Sequence, residues 1–245
     1  MNTDNKLIYE GKAKKIFANE NSREVIVEFK DDATAFNAAK KSIFKGKGEL
    51  NCYISETIFK YLIKKNIPTH YIKSNSKSSF IAQKVDIIPL EVVVRNIAYG
   101  SICKQTNIKP GTVFKEPLID FYYKDDALND PLLTLDRIML MSIIGQEEII
   151  FIKELTNKIN LILMEFFANI QIKLVDFKVE YGRNHNGQLV LADEFSPDNC
   201  RLWDLKANNG KIESLDKDRF RHDLGDLIEA YSEISNRIKI FISST

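Results

Sequence analysis

The sequence contains few cysteines, and none of them is placed for a metal site or a disulfide framework. Only three of its 245 residues are cysteine, at positions 52, 103 and 200, and no CxxC motif occurs. Neither a zinc site nor a set of disulfides is expected from this spacing. The pattern is typical of a protein from a reducing compartment, so we expect a cytoplasmic location.

Long apolar runs and an excess of one charge are also missing. The longest apolar stretches, such as residues 138–144, are too short to cross a bilayer, and the polar segment 1–6 is not a signal peptide. The 35 Lys and Arg residues against 34 Asp and Glu residues leave a formal net charge of +1. Proteins that bind nucleic acids usually carry a basic excess, so neither a membrane nor a nucleic acid is an expected partner.

The periodicity of the apolar residues predicts a mixture of strands and helices. Strands are predicted near residues 7–9, 14–17, 24–30, 69–73, 79–85, 90–95, 172–181 and 188–194, and helices near 49–65, 146–170 and 218–241. Because these elements do not alternate strictly as βαβ units, the α+β class is expected. We place a domain boundary between residues 1–87 and 88–245.

A predicted β-hairpin carries the clearest chemical signal. Asn186-Gly187 is typical of a two-residue turn, and that register places Glu180 directly opposite Asp193. Two carboxylates about 5 Å apart repel each other unless a cation lies between them. Carboxylates without a nearby His or Cys suit Mg²⁺, which often takes phosphate oxygens as further ligands. The hairpin therefore indicates a site for magnesium and a nucleoside triphosphate.

The strand before this turn has one apolar and one charged face. Its apolar face consists of Val175, Phe177, Val179 and Tyr181, and its charged face of Asp176, Lys178 and Glu180. The apolar face indicates that the strand packs on a core. The charged face is interpreted either as a polar cleft or as a solvated surface that needs no ligand.

The segment at residues 9–15 places small residues and lysines between two predicted strands. Gly11 and Ala13 let the backbone approach a ligand closely, and Lys12 and Lys14 can neutralise phosphate oxygens. Neither a Walker A motif nor GxGxxG occurs in the chain. The alternative is an ordinary lysine-rich turn in solvent.

The predicted apolar strand at 90–95 carries two charged residues, Glu91 and Arg95, and the small residues Gly100 and Ser101 follow it. Ser101 is a predicted N-cap for a helix over residues 102–106, so its hydroxyl and Arg95 can together bind a phosphomonoester. The alternative is an ion pair between Arg95 and Glu91 beside an ordinary helix cap.

Five blocks of the sequence together resemble the SAICAR synthetases, the phosphoribosylaminoimidazole-succinocarboxamide synthase family of purine biosynthesis. The blocks are YEGKAKKIF, KDDATAFNAAK, PLEVVVRNIAYGS, LVDFKVEYG and ADEFSPDNCRLWD, and with the segment DKDRFR they cover nearly the whole chain. Tyr99, Tyr181 and Ala38 differ from the residues that are common at these positions in that family. All three are neighbours of functional positions.

The resemblance implies a fold and an activity. The fold is a two-domain α+β structure related to the ATP-grasp ligases, with antiparallel sheets, flanking helices and ATP in the cleft between the domains. The activity is an ATP-dependent amide ligation that joins L-aspartate to 5-amino-1-(5-phosphoribosyl)imidazole-4-carboxylate. The products are the succinocarboxamide SAICAR, ADP and phosphate, and the route is an acyl phosphate. A homo-oligomer, with a dimer favoured, is also expected.

The resemblance also implies roles for individual residues. ATP is expected at Gly11, Lys12, Ala13, Lys14, Lys84, Asp86, Glu91 and Lys178, with adenine beside Lys84 and Asp86 and the ribose beside Glu91. The ribonucleotide is expected at Arg95, Gly100, Ser101, Asp176, Arg201 and Arg221, and Mg²⁺ at Glu180 and Asp193. The expected catalytic residues are Lys178, Asp176 and Arg201, with Asp176 orienting the aminoimidazole.

Three other functions fit parts of the pattern less well. A kinase would need a catalytic-loop aspartate in an HRD-like block, which the sequence does not contain. A nucleotide-binding module without catalysis would not require both the paired carboxylates and a second phosphate site. An RNA-binding protein is disfavoured by the net charge and by the lack of a stacking motif.

Overall fold

A computed structural model describes residues 6–35, 40–206 and 213–244 of the protein. The strands in chain order are β1 (Leu7–Glu10), β2 (Lys14–Ala18), β3 (Glu24–Phe29), β4 (Asp32–Ala35), β5 (Lys40–Ile43), β6 (Tyr71–Ser76), β7 (Ser79–Gln83), β8 (Asp86–Ile87), β9 (Leu90–Ile97), β10 (Val113–Tyr123), β11 (Leu132–Leu133), β12 (Ile172–Arg183), β13 (Leu189–Ala192) and β14 (Cys200–Asp204). The helices are α1 (Lys47–Lys64), α2 (Ser101–Gln105), α3 (Leu135–Leu140), α4 (Gln146–Asn169), α5 (Asp218–His222) and α6 (Leu227–Ser243). Ala38 lies outside the described residues.

Two antiparallel sheets form the framework. The first has the strand order β1-β2-β3-β7-β6, and the second has the order β11-β10-β9-β12-β13, with β8 and β14 also pairing with β12. The short strands β4 and β5 form a separate antiparallel ribbon. The antiparallel sheets with helices around them confirm the predicted α+β class.

The two sheets divide the chain, and β12 is the centre of the second sheet. The first sheet uses residues 7–83, and the second uses residues 86–204. Helix α1 packs against the first sheet, whereas α4 packs against β12. One continuous hydrophobic core joins side chains from both sheets. The domain boundary near residue 87 stays a prediction.

The predicted final helix over 218–241 is wrong, because two helices occupy that segment. Helix α5 ends at His222, because the next residue, Asp223, has a left-handed backbone with a φ of 53°, and Gly225 follows with a φ of 117°. The side chain of Asp226 then accepts hydrogen bonds from the backbone N–H groups of Ile228 and Glu229, and so starts α6. An Asp cap after a glycine is the sequence signal for this break.

Strand β10 is an element that the apolar pattern did not predict. Its register against β9 shifts between Val113 and Leu118, around Pro117, and most of its residues are only partly buried. Such an irregular strand lacks the strict alternation that identifies half-buried strands. In the described residues, no helix is long and apolar enough to span a membrane.

Candidate active site

A cleft of about 910 Å³ is lined by residues of both sheets and brings together most of the predicted ATP-binding residues. Those that line it are Gly11, Lys12, Ala13, Lys14, Lys84, Glu91, Lys178, Glu180 and Asp193. Asp86 does not line it: this exposed residue lies in β8, where it pairs with Arg183 of β12. Its neighbours Val85 and Ile87 do line the cleft.

One wall of the cleft is apolar. It includes Ile16 of β2, Val25 and Val27 of β3, and Val85 and Ile87 beside β8. Val25 and Val27 are buried because they lie on the core-facing side of the alternating strand β3. An apolar wall next to a charged end is typical of a site for an amphipathic ligand such as a nucleotide.

The charged end of the cleft is organised around Lys178. Its Nζ donates hydrogen bonds of 2.8 Å to Glu91 Oε1 and of 2.8 Å to Glu180 Oε1, and it lies 3.3 Å from Asp193 Oδ2. Lys124 forms a second ion pair with Glu180. Burial disfavours the Lys178 ammonium, but the three carboxylates outweigh this effect and raise its pKa well above the ordinary value.

Lys14 contacts the acidic cluster, which consists of Glu91, Glu180, Asp193 and Glu194, from the side opposite Lys178. It forms an ion pair with Asp193 and lies 3.2 Å from Glu194 Oε1. Burial alone would raise the pKa of Asp193, but Lys14, Lys178 and Lys124 together lower it far below the usual range. The carboxylate of Asp193 is therefore ionised at neutral pH and bridges two lysines.

The predicted register of the hairpin is wrong by one residue. Glu180 pairs with Ala192 and not with Asp193, because the turn contains three residues instead of two. Asn184 causes this difference: its side-chain oxygen accepts hydrogen bonds from the backbone N–H groups of Asn186 and Gln188. Asp193 follows β13 in a left-handed conformation with a φ of 66°. Both carboxylates still contact the Lys178 ammonium, so they remain neighbours.

The lysines of the predicted phosphate-covering turn have different surroundings. Lys14 has a side-chain exposure of 15% and belongs to the buried acidic cluster. Lys12 has an exposure of 46% and forms an ion pair with the more exposed Asp126. The turn closes with a hydrogen bond of 2.9 Å from the Gly11 N–H to the Lys14 carbonyl. The alternative of a solvated turn therefore holds for Lys12 and fails for Lys14.

A second cluster, the arginine cluster, forms around Asp176, two residues before Lys178 on β12. It consists of Asp176, Arg95, Arg201, Asp218 and Arg221. Asp176 lies directly opposite Arg95 of β9, and its Oδ2 accepts hydrogen bonds from Arg95 Nη1 at 3.4 Å and Arg201 Nη1 at 2.7 Å. Burial raises the pKa of Asp176, although Arg201 and Arg95 act in the opposite direction. Asp176 and Glu180 are 4% and 3% exposed, so the charged face of β12 is not a solvated surface.

Arg95 is held by partners other than the one that the sequence suggested. Its Nε donates to Asp120 Oδ2 at 3.3 Å, and its Nη2 donates to Ser101 Oγ at 3.1 Å and to Tyr122 Oη at 3.3 Å. The alternative of an Arg95–Glu91 ion pair is wrong, since Glu91 pairs with Lys178.

Arg201 continues the cluster towards the C-terminal part of the chain. Its Nε donates to Asp218 Oδ2 at 2.8 Å, and Asp218 Oδ1 accepts a hydrogen bond of 2.6 Å from Arg221 Nη1. A Cβ on Gly100, which has a φ of 69°, would lie 2.7 Å from Arg201 Nη2. Glycine at this position therefore allows the backbone to approach the guanidinium closely.

The predicted cap of the helix after β9 is wrong in one detail. Gly100 occupies the N-cap position of α2, and Ser101 is the first helical residue. Because Ser101 Oγ accepts its hydrogen bond from Arg95, it links the helix to the arginine cluster instead of capping the helix.

Several residues of the site were missed by sequence reasoning. They are His70, Lys124, Glu194, Asp198 and Lys217, which line the cleft, and Asp120, Tyr122 and Asp218, which hold the arginines. The blocks ADEFSPD and DKDRFR contain four of them, Glu194, Asp198, Lys217 and Asp218, so the extra charged residues of these blocks were a usable signal. Burial and the nearby Lys14 lower the pKa of His70 to about 4, which makes this ring neutral at pH 7.

The acidic cluster does not enclose a metal ion by protein ligands alone. In the described part of the chain, no group of three or more His, Cys, Asp or Glu side chains is arranged to hold one. Glu194 Oε2 is nevertheless buried without a hydrogen-bond partner in this cluster. Glu180 and Asp193 share one ammonium, so their oxygens are near each other. Two neighbouring carboxylates fit Mg²⁺, which usually keeps water or phosphate ligands.

Two residues that depart from the family pattern have clear partners. The Tyr99 ring packs edge-on against Trp203 at 5.4 Å, and the Arg201 guanidinium lies 5.6 Å from its centre. The Tyr181 hydroxyl is buried and shares a hydrogen bond of 2.7 Å with Thr156 Oγ1. Tyr99 therefore borders the arginine cluster, whereas Tyr181 belongs to the core.

Comparisons with known proteins point to one family. The family model of the SAICAR synthetases matches residues 7–238. A phosphoribosylaminoimidazole-succinocarboxamide synthase of Prochlorococcus marinus subsp. pastoris is 68% identical over 242 residues, which are 99% of this chain and 100% of that protein. The phosphoribosylaminoimidazole-succinocarboxamide synthase of Ehrlichia chaffeensis, known from a crystal structure, is 48% identical, and the two structures match with a TM-score of 0.92. The match covers 96% of this chain and 98% of that one. A SAICAR synthetase in complex with ADP is 48% identical, with a TM-score of 0.89 and coverages of 94% and 96%.

Proposed function

The chain belongs to the SAICAR synthetase family, and we propose that its two charged clusters are the two halves of one ligase active site. The family reaction is the ATP-dependent joining of L-aspartate to the carboxylate of an aminoimidazole ribonucleotide. One half of the site must therefore hold ATP, and the other must hold a phosphorylated, carboxylated substrate. The cleft and the arginine cluster have the charges and the positions for these tasks.

ATP is assigned to the cleft. The apolar wall at Val25 and Val27 suits the adenine, and Glu91 at the charged end suits the ribose hydroxyls. Lys14 and Lys178 are placed to bind the phosphates, with the turn from Gly11 to Ala13 covering them. The adenine would contact the backbone near Lys84 and Val85, whereas Asp86 has no contact with the cleft that supports a role in binding.

Magnesium is assigned to Glu180 and Asp193. Both carboxylates pair with the Lys178 ammonium, so a cation is favourable at this position. The unpartnered Oε2 of Glu194 adds a further acceptor. Bound there, Mg²⁺ would neutralise charge on the ATP phosphates. Lys178, which pairs with both carboxylates here, would then be freer to donate a hydrogen bond to a phosphate oxygen.

The ribonucleotide is assigned to the arginine cluster. Arg95 and Ser101 would hold its phosphate, and Gly100, whose backbone lies close to the Arg201 guanidinium, would border the same site. Arg221 extends the same cationic surface through Asp218. Asp176 is proposed to accept a hydrogen bond from the amino group of the imidazole and so to orient the ring. Arginine suits both phosphate and carboxylate because its donors are planar and paired.

The observation that carries the proposal is the shared face of β12. Asp176, Lys178 and Glu180 are every second residue of this strand, so they lie on the same face. Successive side chains on that face are about 7 Å apart, which makes the two clusters neighbours. A carboxylate held by Arg201 is then within reach of the terminal phosphoryl group held by Lys178. Phosphorylation would turn that poor electrophile into an acyl phosphate, which the aspartate amine attacks. The protein contributes mainly positioning and charge neutralisation.

We also propose that the protein is a cytoplasmic dimer. All three cysteines are unpaired, as is usual for proteins in a reducing compartment. Several large apolar side chains are well exposed, among them Leu140, Leu161 and Ile240 with exposures of 84%, 67% and 69%. Continuous apolar patches mark contacts with other proteins, and the proposed dimer requires that some of these side chains form such a patch.

Substrate dependence of ADP release tests the proposed function. Repeated turnover of ATP to ADP should require both the carboxylated ribonucleotide and L-aspartate, and the succinocarboxamide should form in equal amounts. Repeated turnover that does not require aspartate, with a phosphorylated product, would identify a kinase instead. Sedimentation of the purified protein tests the dimer independently.

A further inference from the structure

Among the described residues of the cleft, Lys217 is a half-buried lysine without an ionic partner. It lines the cleft, and in the described residues its Nζ forms no ion pair or side-chain hydrogen bond. Lys14, Lys124 and Lys178 each pair with a carboxylate. Two other unpaired lysines on the cleft, Lys41 and Lys84, are exposed to solvent.

Asp198, the carboxylate that attracts the Lys217 ammonium most strongly, already has other partners. Asp198 lies 2.6 Å from Lys47 Nζ, and it accepts hydrogen bonds from Asn51 at 3.0 Å and from Tyr231 at 2.8 Å. Burial lowers the pKa of Lys217, and Asp198 only partly offsets this effect. The Lys217 ammonium is therefore only partly compensated by the protein, and an anion bound in the cleft would stabilise it further.

Lys217 lies at the junction of the two clusters. Its backbone N–H donates to the carbonyl of Pro197, next to Asp198 on the cleft, and its own carbonyl accepts a hydrogen bond from the Arg221 N–H. Asp218, the next residue, holds Arg201 and Arg221. The acyl group and the terminal phosphoryl group would meet at this junction, so the attacking amine must arrive there too.

We propose that the ammonium of Lys217 binds a carboxylate of the amino-dicarboxylate substrate, L-aspartate, and so positions its amine for attack. This inference rests on the proposed function, since it concerns the third substrate of that reaction. The other buried cations of the two clusters have partners within the protein and are assigned to ATP or to the ribonucleotide. Lys217 is thus the cation left for the dicarboxylate.

The test is a comparison of Lys217→Met, Lys217→Arg and the control Lys41→Met, which removes an exposed and unpaired lysine from the same cleft. Lys217→Met should raise the KM for L-aspartate at least tenfold, the usual effect of losing a charge-assisted hydrogen bond, with KM for ATP and for the ribonucleotide within twofold of the parent. Lys217→Arg should recover much of the loss, and Lys41→Met should match the parent.

Succinate provides a readout that does not depend on turnover, because it has both carboxylates but no amine. Calorimetric titration of succinate into the enzyme loaded with ADP and the ribonucleotide should show binding to the parent and to Lys41→Met, and at least tenfold weaker binding to Lys217→Met. Equal succinate affinity in Lys217→Met, or a rise in the KM for ATP instead of aspartate, would overturn the assignment. If the parent itself does not ligate aspartate, the proposed function fails, whatever the variants do.

Discussion

Asp176 and Arg95 face each other directly across strands β12 and β9, and Asp176 also accepts a hydrogen bond of 2.7 Å from Arg201. One carboxylate thus fixes two guanidinium groups from different parts of the chain. Arg95 does not line the nucleotide cleft. Its loss should therefore affect one substrate and spare the other.

Arg95→Ala should raise the KM for the ribonucleotide about tenfold or more and leave the KM for ATP unchanged. The physical reason is the loss of charge-assisted hydrogen bonds worth about 1.5–3 kcal/mol. Steady-state kinetics with each substrate varied in turn gives both values. Arg219→Ala is a suitable control, because Arg219 pairs with Glu213 and the Ser214 carbonyl outside the cluster. A rise in the KM for ATP would show that the phosphate has been assigned to the wrong arginine.

The two lysines of the phosphate-covering turn should respond differently to removal. Lys14→Ala should weaken ADP binding and also lower the free energy of unfolding by about 1–3 kcal/mol, because Asp193 and Glu194 lose a buried partner. Lys12→Ala should weaken ADP binding but change stability by less than about 1 kcal/mol, since its ion pair with Asp126 is exposed.

Thermal melts without nucleotide and titrations with ADP separate these two effects. If Lys12→Ala lowers stability as much as Lys14→Ala, the exposed pair has a structural role that its geometry does not indicate. If neither variant changes ADP affinity, the phosphates lie away from this turn.

The face pattern of β12 could be predicted from the sequence, but its pairing register could not. Alternation of apolar and charged residues is a local property, and it correctly placed Phe177, Val179 and Tyr181 in the core. It was wrong for Val175, which lies at an irregularity of the pairing with β14 and packs in a separate small cluster with Ile97 and Trp203. The register depends on the turn, where the Asn184 side chain competes with the expected two-residue geometry. A shift of one residue moved Asp193 beyond the paired strand, although the two carboxylates still meet at Lys178.

Contacts between distant segments were beyond the reach of local patterns. Lys14 meets Asp193, and Lys47 meets Asp198, although each pair is separated by more than half of the chain. Lys47 lies among the lysines near the start of α1, where the sequence gives no reason to expect burial. It is nevertheless fully buried, with an exposure of 0%. Which lysine of such a group becomes buried depends on how α1 packs against other elements, and a local sequence pattern does not show this packing.

Lys47→Met should destabilise the protein by about 3–5 kcal/mol. The change leaves Asp198 as a buried charge without its main partner, and removing one member of a buried ion pair has costs of this size. The double variant Lys47→Met/Asp198→Asn should be more stable than Lys47→Met, because it also removes the uncompensated charge. Urea unfolding of the parent and the variants gives the free energies. A loss below about 1 kcal/mol in Lys47→Met would mean that Tyr231, Asn51 and the nearby Lys217 hold the charge without Lys47.

Asp193→Asn separates the metal site from the stability of the apo protein. The carboxylate is paired with Lys14 and Lys178, so its neutralisation should lower the free energy of unfolding at pH 7 by about 1–3 kcal/mol. The opposed-carboxylate register alone would have predicted a slightly more stable variant, since it implies repulsion between Glu180 and Asp193. The pairing with two lysines reverses that expectation.

The pH dependence of this loss follows from the lowered pKa of Asp193. A carboxylate whose folded pKa is depressed stabilises the protein above its unfolded pKa of about 3.9, and this contribution is lost as the pH falls through the folded value. The difference in stability between the parent and Asp193→Asn should therefore persist from pH 7 down to about pH 4 and shrink only in stronger acid. Urea melts across this range measure this difference in stability.

Titration of Asp193→Asn with Mg²⁺ and ATP should in addition show at least tenfold weaker binding than in the parent. Normal Mg–ATP binding together with reduced stability would place the metal elsewhere and leave Asp193 a purely structural role.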